Sequence, residues 1–82
     1  MKYRVHIRVM PRGGLLDPAG QAVEHALDAL GFPEASNVHL GKAIAIDVES
    51  GSPAEAEARA RAMCERLLAN PVTEDFTVEL AA

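Results

Sequence analysis

Side chains able to do chemistry are few in this sequence, and they are scattered. It holds three histidines (His6, His25 and His39), one cysteine (Cys64) and twelve acids. A metal site needs histidine, cysteine or carboxylate ligands at a spacing that a helical turn or a hairpin can gather. The histidines keep no such spacing, and no metal is expected. Cys64 falls within a helical apolar pattern, where a thiol acts as a small hydrophobe rather than a nucleophile. Gly13-Gly14 follows a strand-like stretch but lacks the spacing and the lysine of a phosphate-binding loop. Most acids stand beside arginines on helix faces, as solvated surfaces do. No nucleophile, base and oxyanion donors converge. Neither catalytic residues nor a cofactor are therefore expected.

The elements that carry these residues are organised about the stretch Gly13–Gly20, where a strand gives way to a helix. Before it, Tyr3, Val5, Ile7 and Val9 alternate with Arg4, His6 and Arg8 up to Met10. That period of two describes a half-buried strand, ended by Pro11. Asp17 can cap the following helix by accepting a backbone N–H, with Pro18 at the first helical position. Ala22, Val23, Ala26, Leu27 and Leu30 form one apolar stripe, while Glu24, His25 and Asp28 face water. Gly31 suits the left-handed residue after the helix, and Pro33 forbids continuation.

Residues 37–50 read as two short strands about a Gly41-Lys42 turn, with positive φ at the glycine. Val38 and Leu40 alternate before it, and Ile44, Ile46 and Val48 after it. One bent strand with a bulge at Gly41 is the competing reading. Ser52-Pro53-Ala54-Glu55 is a capping box opening a second helix. Its apolar stripe is Ala56, Ala60, Met63, Cys64, Leu67 and Leu68. Glu57 with Arg61 and Glu55 with Arg59 are favourable i,i+4 pairs. Asn70, tolerated in the left-handed region, and Pro71 end it. A last strand spans about Thr73 to Leu80, with Phe76, Val78 and Leu80 inward.

The order β-α-β-β-α-β predicts an α+β two-layer sandwich, with two helices on one face of a four-stranded, mainly antiparallel sheet. A ferredoxin-like strand order is the commonest for this element order. Eighty-two residues are one domain (1–82), with a core thin enough that self-association would add stability. Arg4, His6 and Arg8 would lie on the uncovered sheet face with Asp47, Glu49 and Glu79, where charges can pair across strands.

A net charge of −4 argues against a nucleic-acid partner. No apolar run approaches a membrane span, the start is too polar for a signal peptide, and a lone cysteine fits a reducing compartment. A cytoplasmic protein is expected. An RNA-recognition domain would need aromatic side chains on its central strands, yet strands one and three offer only Tyr3. A metallochaperone would need an early Cys-x-x-Cys. A stand-alone, ligand-sensing domain of the ACT kind has no exclusive motif and stays open.

Several stretches also match a known family in order and spacing. They are Leu16–Val23, Ala26-Leu27, Leu30-Gly31, Gly41-Lys42, Cys64–Val72 and Glu74–Phe76. The chain resembles the PurS family, the small subunit of phosphoribosylformylglycinamidine synthase in purine biosynthesis. It departs from the family in its second loop glycine before Leu15, and in Ala43-Ile44-Ala45 where a glutamate is common. The resemblance implies a non-catalytic subunit of a ligase that makes formylglycinamidine ribonucleotide, ADP, phosphate and glutamate from formylglycinamide ribonucleotide, ATP and glutamine. It implies two partners, a large synthetase subunit and a glutaminase subunit, which the chain joins while helping ammonia pass. It also implies a homodimer or a dimer of dimers, with the sheet face or edges suited to that contact. The turns would meet the larger partners, and the interface candidates are Gly13, Gly14, Asp17, Pro18, Gly41, Lys42, Asn70 and Pro71.

Overall fold

The computed structural model describes residues 1–13 and 17–81. Strand β1 (Lys2–Pro11) is followed by helix α1 (Pro18–Ala29), strand β2 (Lys42–Glu49), helix α2 (Pro53–Met63) and strand β3 (Glu74–Leu80). A π-helical turn, Cys64–Leu68, extends α2. The fold is α+β, two helices with an antiparallel sheet.

The alternation along β1 makes it the central strand. Val5, Ile7 and Val9 are fully buried, while Arg4, His6 and Arg8 face water. The sheet order is β2-β1-β3, both pairings antiparallel, with Val5 across from Ile46 and Ile7 across from Val78. Helix α2 lies on the apolar face. Ala56, Ala60 and Cys64 join Val5, Ile7, Val9 and Val48 in the core, with Met63, Leu68 and Phe76 packed around them. Small residues on α2 let the helix approach the sheet closely.

Three expectations are corrected. The sheet has three strands among the described residues, not four, and residues 37–41 are neither a strand nor one arm of a bulge. The N–H of Val38 donates to Glu24 Oε1 (3.2 Å) and that of Leu40 to Asp17 Oδ2 (3.1 Å), so these amides serve side chains of α1 instead of a ladder. Secondly, α1 does not cover the sheet beside α2. It is held along residues 37–41, and these two segments form an arm that stands off the sheet. The molecule measures 51 × 26 × 14 Å with a radius of gyration of 16.1 Å, against about 12 Å for a compact chain of this length. The stripe of α1 is correspondingly bare, with Leu30 73 % exposed, and Phe32 beyond it 50 % exposed.

Thirdly, Leu67 leaves the stripe of α2 and is 83 % exposed. The π-turn inserts an extra residue into the helical repeat, which rotates the following side chains away from the core face. Two local details also differ. Glu55 N–H donates to Ser52 Oγ (3.1 Å), but Ser52 N–H donates to Ser50 Oγ rather than to Glu55, so the capping box is closed on one side only. Arg61 pairs with Glu57 as expected (3.2 Å). Gly31, at φ 97°, takes the left-handed role that its place after the helix demands.

Candidate functional site

The carboxyl end of β1 lies between the amino ends of β2 and β3, with Val9 across from Lys42 and Pro11 across from Glu74. Five of the residues singled out in the sequence, Gly13, Gly41, Lys42, Asn70 and Pro71, belong to the turns at this one end of the sheet. Asp17 reaches the same place through Leu40, and exposed Pro18 follows it as the first helical residue. Gly14 lies outside the described residues.

Arg12 fixes one half of this end. Its Nε donates to Asp75 Oδ1 (3.2 Å) and its guanidinium to the Pro71 carbonyl (3.0 Å), while its N–H donates to the Thr73 carbonyl (2.8 Å). Asn70 does not take the left-handed conformation expected of it. Its Oδ1 accepts from Val72 N–H (2.9 Å), and its own N–H donates to Glu74 Oε1 (2.8 Å). These bonds make an Asx turn that needs no positive φ. The turn displays Val72, which is largely exposed.

Asp17 fixes the other half. Its Oδ1 accepts from Gly20 N–H (3.1 Å), the expected cap of α1, and its Oδ2 accepts from Leu40 N–H (3.1 Å). His39 Nδ1 lies 3.3 Å from Oδ2, and His39 Nε2 lies 3.1 Å from Asn37 Oδ1. The two backbone N–H donors, Gly20 first and then Leu40, hold the Asp17 carboxyl below the usual carboxylate range, with His39 adding to them. Gly20 is buried because α1 lies so close to residues 37–41 that a Cβ there would overlap the Val38 carbonyl oxygen. Gly41 also has a steric task, different from the expected one. Its φ is not positive, but a Cβ would collide with the Val9 carbonyl oxygen and Met10 Sδ. Gly13 has open space around it, and Lys42 is exposed.

Sequence reasoning missed Arg12, Glu24, His39 and Glu74. Each acts on a backbone group or side chain remote in sequence, or on a turn whose form is set by such a contact. Cys64 is fully buried, and burial pushes its thiol up. Among the described residues no three histidine, cysteine or acid side chains gather as metal ligands, and no helix is long and apolar enough to cross a membrane.

A family model described as "PurS: Phosphoribosylformylglycinamidine (FGAM) synthase" matches residues 4–82. The chain belongs to the PurS family. A Synechocystis protein named phosphoribosylformylglycinamidine synthase subunit PurS is 40 % identical over 80 residues, spanning 98 % of this chain and 80 % of that one. The structure of Bacillus subtilis PurS superposes with a TM-score of 0.86 at 36 % identity, covering 98 % of this chain and 99 % of the other. A chain in the structure of PurLQS from Thermotoga maritima gives 0.88 at 30 % identity, with 99 % of each chain covered. The function that goes with this family is that of the PurS subunit of FGAM synthase in purine biosynthesis.

Proposed function

We propose that this chain is the accessory subunit that joins a large synthetase subunit to a glutaminase subunit and assists ammonia transfer between them in the cytoplasm. The observation that carries the reading is the gathering of Gly13, Gly41, Lys42, Asn70 and Pro71 at one end of the sheet, beside the Asp17 clamp. That end is built from turns held rigid by Arg12, Asn70 and Asp17, and rigid turns dock at little cost in conformational freedom. The likeness to a chain of the PurLQS structure from Thermotoga maritima supports it.

Self-association belongs to the same reading. The exposed Leu30 and Phe32 of the arm, with Leu40 beside them, are apolar surface that a lone chain leaves in water. A second copy would cover it, and the two-layer arrangement anticipated within one chain would then be completed between copies. The dimer contact is thereby moved from the sheet to the arm.

The test is reconstitution with the two large subunits. Glutamine-dependent FGAM formation should require this chain, whereas synthesis from added ammonia by the synthetase subunit should not. A full glutamine-dependent rate without the chain would overturn the proposal.

A further inference from the structure

The sheet face opposite α2 carries charges whose partners can be assigned one by one. Arg4 Nε lies 2.8 Å from Asp47 Oδ1, the terminal amine 2.9 Å from Glu49, and Arg12 Nε 3.2 Å from Asp75. Two charges remain. Arg8 stands between Ala43 and Thr77 in the ladder, and Glu79 lies across from His6. Among the described residues neither Arg8 nor Glu79 makes an ion pair. Both line one shallow depression of about 620 Å³, whose other walls include the small side chains of Ala43, Ala45 and Thr77.

A cation and an anion left over side by side on one open face form a self-complementary pair. In a two-fold contact each residue meets a different residue of its mate, and the reverse contact follows by symmetry. We infer that this depression seats the same face of a second copy, with Arg8 of each copy on Glu79 of the other. The small residues between them leave room for the long side chains to cross. A free carboxylate is a poorer occupant, because one exposed guanidinium in open water holds it weakly.

The size of the face sets its place in the assembly. Three strands at ~4.8 Å and seven residues at ~3.3 Å give roughly 330 Å² per copy. Both copies together bury less than the ~1,000 Å² of a stable interface. The contact is therefore secondary, and it rests on the arm pairing proposed above: two arm-paired dimers join through it. Linking sites in this way strengthens a weak contact without adding new ones.

Sedimentation across dilution tests this with Arg8→Glu, Glu79→Arg and the double variant, all at exposed positions. The wild type should pass from tetramer to dimer on dilution. Each single reversal should weaken that step by about tenfold or more, and the double reversal should restore it. Restoration is the decisive readout, since a merely local role within one chain would shift melting and leave the oligomer unchanged. A dimer that never grows, whatever residue 8 or 79 is, overturns the inference and leaves the arm pairing standing. A monomer–dimer step that the single reversals abolish and the double restores keeps the face contact and removes the arm pairing. Wild-type assembly in Arg8→Glu, with reduced glutamine-dependent synthesis in the reconstituted mixture, also overturns the inference, because the face then serves another subunit.

Discussion

The two parts of this molecule are held together by different physics. In the sheet with α2, stability comes from apolar burial: Val5, Ile7, Val9, Ala56, Ala60 and Cys64 are almost wholly removed from water. In the arm, α1 is tied to residues 37–41 by carboxylates bound to backbone amides, while its large apolar side chains stay exposed. The first arrangement is complete within one chain. The second fixes a shape without burying a core, as suits a segment whose apolar surface is meant for another molecule. A small chain gains twice from that division, because the partner that receives the arm also stabilises it.

The largest effect should come from the core. Ile7→Ala removes three carbons from the central strand, where little can collapse into the space, and should cost about 3 kcal/mol. For a chain of this size that corresponds to a fall of roughly 15 °C in Tm. Thermal unfolding followed by far-ultraviolet circular dichroism measures it. A loss under about 1 kcal/mol would mean that the sheet and α2 are packed far less tightly than their burial implies.

Gly20→Ala should separate the two parts. Its Cβ meets a backbone carbonyl, at Val38, so a rotamer change offers no escape and the arm must open. Hydrogen exchange should then lose protection at the Val38 and Leu40 amides while β1 amides keep theirs. Equal loss in both regions would show that arm and core unfold as one unit.

What could be read from the sequence follows the same division. The core was legible because its signals are local: alternation in β1, the stripe and cap of α2, and the stop at Asn70-Pro71. The arm was not. Val38 and Leu40 alternate as a strand does, but two apolar residues alternate equally well beside a helix. Nothing local tells the Leu40 N–H to choose Asp17, 23 residues earlier, over a neighbouring strand. Leu67 misled for a related reason, since a π-turn changes the helical period without a signature residue. For the candidate site, the glycines and caps were found, but their tasks differ. Gly41 is there for close approach rather than for positive φ, and Asp17 caps a helix and grips a second segment at once.

Asp17 yields the finest test, because its two tasks can be taken apart. Its folded carboxyl titrates below the usual range, so the unfolded chain takes up the proton first as pH falls. The stability it contributes is thus complete above about pH 5 and is lost progressively as pH drops through the carboxylate range. Asp47, held low by Arg4, gives the sheet a loss of the same sign, so whole-chain melting cannot assign the effect. Residue-specific exchange can. Asp17→Ser keeps an oxygen for the Gly20 N–H but is too short and uncharged to hold the Leu40 N–H as well. The variant should melt within a few degrees of the parent. At neutral pH it should already have lost protection at Leu40, the change that acid produces in the parent. If Leu40 stays protected in Asp17→Ser, the arm is held by packing, and the contrast with the core is one of degree.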